Sequence, residues 1–130
     1  MAHQPLDPAS MAVMGTPNYT HGMLTEGVSR WLHVAGQVGV LPYGTTAQGA
    51  LEQCRAAFAN LGRLLEEAGM SPADVCQLRI FLLDREDIGP LRQARAEFFG
   101  KDAVVPSTLI FVSGLVDPDW CVELEIVAAC

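Results

Sequence analysis

A chain of 130 residues accommodates one compact domain and has no room for separate cofactor and substrate domains, which excludes the large multidomain enzymes. Half of the residues are hydrophobic and 18% are charged, so the chain can bury a core rather than stay disordered, and at this size self-association would add useful buried area. Eight Lys and Arg against fifteen Asp and Glu give a net charge of −7, and the cations are scattered, which argues against a nucleic-acid partner because phosphate binding draws on clustered positive charge.

Residues 1–16, with Pro5, Pro8 and Gly15, show no sustained period and are expected to form a flexible N-terminal arm ahead of a single domain over residues 17–130. Residues 19–24 and 31–38 read as two short strands, joined as a hairpin through the polar stretch 25–30. Residues 39–45, with Pro42 and Gly44, form a loop. From residue 46 to 68, Ala47, Ala50, Leu51, Cys54, Ala57, Phe58, Leu61, Leu65 and Ala68 recur at three- and four-residue steps, the apolar stripe of an amphipathic helix. Gly69 follows as its left-handed stop. Ser71 and Pro72 supply a cap and a first-turn proline for one further turn, and residues 75–83 then form an almost wholly apolar strand.

A second helix is expected over residues 88–99, with Leu91, Ala94, Arg95 and Phe98 on one face and Gly100 as the stop. Pro90 is tolerable within the first turn. Two final strands, 107–113 and 121–128, complete the order ββαβαββ. That order predicts an α+β domain, one mixed sheet with both helices on one face. Alternation turns Cys76, Leu78, Ile80 and Leu82 toward the helices together with Val122, Leu124 and Ile126. Gln77, Arg79, Phe81, Glu123 and Glu125 then share the opposite face, a mixture suited to an oligomer interface.

No apolar run reaches the length of a membrane span and no leader-like segment opens the chain, so a cytoplasmic protein with no membrane partner is expected. Cys54, Cys76, Cys121 and Cys130 are isolated and read as reduced thiols rather than metal ligands. No nucleophile elbow, phosphate loop or HExxH motif is present, and neither a metal nor a cofactor is expected.

Several pieces, in order and spacing, resemble the RidA family, also called YjgF or L-PSP. They are Pro17-Asn18-Tyr19-Thr20-His21, Val34-Ala35-Gly36-Gln37-Val38-Gly39, Asn60-Leu61, Glu67-Ala68-Gly69, Asp74-Val75, Phe81-Leu82-Leu83-Asp84, Phe98-Phe99-Gly100, Pro106-Ser107-Thr108 and Val122-Glu123-Leu124-Glu125-Ile126. The resemblance implies a chorismate-mutase-like fold and a homotrimer with its sheets facing inward. In the best-known branch it implies cofactor-free hydrolysis of reactive enamines and imines, such as 2-aminoacrylate, in a cleft between subunits. That site is centred on an arginine just before the Ser/Thr pair of the fourth strand, where this chain has Pro106. Proline offers neither a cation nor an N–H to a substrate carboxylate, so the chain resembles the arginine-lacking branches.

The resemblance makes Glu123 the candidate catalytic residue, a carboxylate that positions or activates water. The bland alternative is an ion pair with Arg79, as Glu125 is expected to form an ion pair of its own. The candidate substrate-binding residues are Tyr19, Ala35, Gly36, Arg79, Arg92, Pro106 and Thr108, with Arg79 or Arg92 able to replace the missing arginine. Tyr19 can equally plug a subunit contact, Thr108 can be an ordinary strand threonine, and His21 reads as incidental rather than as a proton carrier. The sequence therefore predicts an enamine or imine deaminase, acting on a small and anionic substrate other than that of the 2-aminoacrylate branch. The alternative is a trimeric small-molecule-binding or chaperone-like module without chemistry. An endoribonuclease fits poorly with so acidic a chain.

Overall fold

In the computed structural model, which describes residues 2–130, a five-stranded mixed sheet carries two helices on one face. Met1, the first residue of the expected arm, lies outside the described residues. The elements are β1 (His3–Leu6), β2 (Gly22–Thr25), β3 (Trp31–His33), β4 (Gln37–Val38), α1 (Ala50–Glu67), β5 (Val75–Leu82), α2 (Ile88–Phe99), β6 (Ser107–Phe111) and β7 (Val122–Ala129). Strand β7 is the hub, antiparallel to β3, β4 and β5, while β6 runs parallel to β5. A parallel neighbour needs a crossover, and α2 supplies it.

The two long helices follow the sequence closely. Cys54, Ala57, Phe58, Leu61 and Leu65 are buried along α1 as the stripe predicts. The helix begins at Ala50 rather than at residue 46, because Gly49 sits at φ +83° and Ala47 donates its N–H to the Gly39 carbonyl. At the other end Gly69 adopts φ +70°, its N–H reaching the Glu66 carbonyl and that of Met70 reaching Leu65. This paired closure requires a left-handed residue, which glycine adopts without a Cβ penalty. Ser71 and Asp74 cap the turn that follows. The helices lock through Phe58, whose ring lies 5.2 Å from that of Phe98 and 5.9 Å from that of Phe99.

Alternation in β7 places Val122, Leu124 and Ile126 in the core, and Leu78, Ile80 and Leu82 of β5 join them. Cys76 does not. A register irregularity between Val75 and Gln77 inserts one extra residue opposite β7. Such a bulge reverses the alternation, so Val75 enters the core and Cys76 turns to the open face. There its thiol donates to the Val127 carbonyl at 3.4 Å.

The predicted hairpin is also corrected. Strand β2 pairs with β1 in a separate two-stranded sheet, and β3 pairs with the end of β7. Part of the arm expected to be flexible is therefore a strand. Its His3 bonds Thr25 Oγ1 at 2.9 Å and the Ala129 carbonyl at 3.0 Å, while Asp7 accepts from the Thr20 hydroxyl and the His21 N–H. These are polar, long-range attachments, invisible to hydrophobic periodicity.

Candidate functional site

The face of the sheet away from the helices is open except at one end, and its residues fall into rows set by register. Phe81 stands opposite Glu123, Arg79 opposite both Glu125 and Thr108, and Gln77 opposite Val127, which also faces His33. At the Val127 end, β2 and the segment before it rise over the sheet and close a cavity of about 570 Å³. Three of the expected residues, Tyr19, Pro106 and Thr108, meet in its wall with His21, Gln77 and Cys76. No lysine, arginine, aspartate or glutamate lines it.

His21 is not incidental to this wall. Its Nε2 lies 2.8 Å from the Ala12 carbonyl, which can only accept, so this nitrogen carries a proton. In the neutral ring Nδ1 is then free to accept from the Tyr19 hydroxyl at 3.2 Å, and the two rings meet edge to face at 5.0 Å. The histidine thereby orients the Tyr19 phenol at the cavity mouth.

Glu123 lies elsewhere in the chain's own geometry. It precedes Val127 by four residues on β7, about 13 Å at the usual strand rise. Its carboxylate rests against the backbone of Gly36. A Cβ built on Gly36 would fall 2.7 Å from Glu123 Cδ and 2.9 Å from Cγ, so the carboxylate occupies the space of a missing side chain. Neighbouring Ala35 accepts from Gln37 Nε2 through its carbonyl. The structure thus brings Ala35, Gly36 and Glu123 together, and separates this group from Tyr19, Pro106 and Thr108.

The two candidate cations divide. Arg79 donates to Glu125 Oε1 at 3.0 Å, the ion pair expected for Glu125, and Glu123 forms no ion pair among the described residues. Arg92 is not on the open face at all. It lines a different cavity, between α2 and β6.

Sequence reading missed Gln53, a buried residue in the first turn of α1. Its Nε2 donates to the Asp119 carbonyl at 2.9 Å and its Oε1 accepts from the Cys121 N–H at 3.0 Å, pinning the loop that leads into β7. The signal was present in the sequence, since Gln53 stands three residues after Ala50 and four before Ala57, on the apolar stripe itself.

Three of the four thiols are poor nucleophiles. Burial pushes Cys54 up to about 12, with the nearby Cys121 and Asp87 adding to the effect, and burial likewise raises Cys76 and Cys121. All three stay protonated thiols at neutral pH. The Asp87 carboxyl, at the start of α2, is raised first by burial and then by the charges of Asp84 and Glu86. A carboxyl raised in the folded state binds more protons there than in the unfolded chain, so stability falls as pH rises through that window. Asp87 makes no side-chain capping bond. Asp87→Asn is therefore expected to raise the thermal midpoint at pH 7 and to leave it unchanged below about pH 3, where both states are protonated. A lower midpoint at pH 7 contradicts this.

A mixed sheet backed on one face by two helices and largely open on the other defines a small α+β protein of the chorismate-mutase-like class. The family described as Endoribonuclease L-PSP matches residues 10–130, and the chain belongs to this family, the RidA or YjgF proteins. A RutC family protein of Haemophilus influenzae is 35% identical over 99 residues, spanning 75% of this chain and 81% of the relative. The 2-iminobutanoate/2-iminopropanoate deaminase of mouse is 26% identical over 103 residues, 78% of this chain and 75% of that enzyme. The crystal structure of YyfB from Yersinia pestis, a Rid protein of unknown function, superposes with a TM-score of 0.87 at 27% identity, covering all of both chains.

Proposed function

We propose that the protein is an enamine or imine deaminase whose site forms between subunits of a homotrimer. The observation that carries this reading is Glu123, a carboxylate without an ion-pair partner among the described residues, seated where Gly36 leaves room for it. Two half-sites lie about 13 Å apart on one chain. Packing the open faces of three copies inward would bring Glu123 and Gly36 of one subunit to the Tyr19, Pro106 and Thr108 cavity of the next. The exposed Trp31 and Ile110, with half-buried Phe81, supply apolar area for such an interface.

In this site the enamine tautomerises to the imine by protonation at its carbon end, and water adds to the C=N carbon. Glu123 takes a proton from that water and passes it to nitrogen, giving the carbinolamine, then relays the hydroxyl proton to nitrogen as the C–N bond breaks, leaving a carbonyl product and ammonia. Tyr19, oriented by His21, and Thr108 shape the pocket. Arg79 stands beside Thr108 in register, and its guanidinium is only partly engaged by Glu125, so it is the cation that meets a substrate carboxylate. Pro106 supports a specificity outside the 2-aminoacrylate branch. Four unpaired thiols suit a reducing compartment, the cytoplasm.

A second reading is a binding module without chemistry, favoured by the uncharged wall of the larger cavity. Ammonia release from freshly generated enamines and imines, from 2-aminoacrylate to dienamines carrying a second carboxylate, separates the two. The deaminase accelerates at least one substrate and prefers those other than 2-aminoacrylate. Stabilisation by carboxylates with no acceleration on any substrate overturns the deaminase in favour of the binder.

A further inference from the structure

The cavity between α2 and β6 lies on the helix side of the sheet edge and holds about 370 Å³, enough for a small metabolite. Arg92 and Arg95 both line it, one turn apart on α2, and no carboxylate does. In a chain with nearly twice as many acids as bases, two guanidinium groups with no acid concentrate positive charge in this cavity. Elsewhere among the described residues Arg55 is paired with Glu52 and Glu97 and Arg79 with Glu125, while Arg30, Arg63 and Arg85 stand singly on carbonyl, amide or aromatic partners.

Arg95 is anchored. It donates to the Ser107 hydroxyl and to the Val105 carbonyl, both at 2.9 Å, which holds the planar group against the edge of β6 and leaves further N–H donors. Burial lowers its affinity for the proton below the ordinary arginine value, and the charge of Arg92 adds to the effect. Two like charges held together without a counter-ion are a cost that an anion would relieve. Ile80 and Leu109 give the cavity an apolar wall. Asn18 closes it in a left-handed backbone conformation, φ +60°, with its side chain bonded to the Lys101 carbonyl.

We infer that Arg92 and Arg95 form a second site, which binds a small organic dianion, its charges on the guanidinium groups and its carbon skeleton on Ile80 and Leu109. The site adjoins the Tyr19 cavity, with Ser107 in the wall of both, but its cations belong to it alone, and binding there is read without turnover. A dicarboxylate and a phosphate ester present the same chemistry, and two probes distinguish them.

Calorimetric titration of the full chain with succinate, inorganic phosphate and acetate at constant ionic strength tests the site. Succinate or phosphate is expected to bind more tightly than acetate, and the stronger of the two identifies the anion. Arg92→Gln removes an exposed side chain and is expected to weaken that binding about tenfold or more, the loss of one charge-assisted contact. Arg55→Gln removes the same charge elsewhere and is expected to leave it unchanged. Arg95→Lys keeps the charge but loses the planar fork and is expected to weaken binding as well. The inference is overturned by wild-type affinity in Arg92→Gln, by equal losses in Arg92→Gln and Arg55→Gln, or by no binding of either dianion.

Discussion

Glu123→Gln is expected to lower ammonia release by about a hundredfold or more, the usual share of a positioned general base, while the protein elutes and melts as the wild type does. Glutamine keeps the size of the side chain and its seat against Gly36, so packing is preserved, but an amide cannot accept the water proton. The seat itself provides the second arm of the test. Gly36→Ala puts a Cβ 2.7 Å from Glu123 Cδ, and the carboxylate must swing away. Because the displaced atoms belong to a half-buried side chain and not to the backbone, folding should survive while turnover falls. Wild-type turnover in Glu123→Gln removes this residue from the chemistry. Loss in Glu123→Gln with full activity in Gly36→Ala means that the carboxylate acts from a different position.

Gln53→Leu is expected to destabilise the fold by about 2 kcal/mol, or roughly 7 °C in thermal midpoint. Leucine fits the apolar stripe better than glutamine, and propensity favours it in a helix. Both considerations predict stabilisation. They are outweighed because the Cys121 N–H and the Asp119 carbonyl each lose a partner at the entrance to β7. An orphaned buried group costs more than a hydrogen bond contributes. The loop is also the approach to Glu123, so the variant should lose activity before it loses its helices. The check is thermal unfolding by circular dichroism at fixed protein concentration, and a midpoint at or above that of the wild type refutes the clamp.

The two helices, their stops at Gly69 and Gly100, the capped turn at Ser71 and the inward sets of β5 and β7 were legible in the sequence, because each rests on local periodicity or on one residue's backbone preference. The family was legible too, from the order of short motifs from Pro17 to Ile126. What failed was long-range or irregular. Cys76 was assigned to the core by strict alternation, and a single bulge moved it into a cavity wall. The hairpin was the nearest pairing available to residues 22–25, yet β1 took them, because strand partners are chosen by exposed backbone groups and not by neighbours in sequence.

The candidate site divides along the same line. The family resemblance, and not residue type or spacing alone, singled out Glu123, Tyr19 and Thr108. That Glu125 takes Arg79 and leaves Glu123 unpaired follows from strand register, which a sequence cannot specify where one face of a sheet is mixed in character. Arg95 was read as one more member of an apolar helix face, and only the packing of α2 against β6 shows that its guanidinium ends in a cavity beside Arg92. By itself the sequence determined the helices, the core strands and the fold class, which depend on periodicity and local conformation, and the family, through the order of its short motifs. The tertiary structure alone decided which charges are paired and which are free, since that depends on distances between residues far apart along the chain.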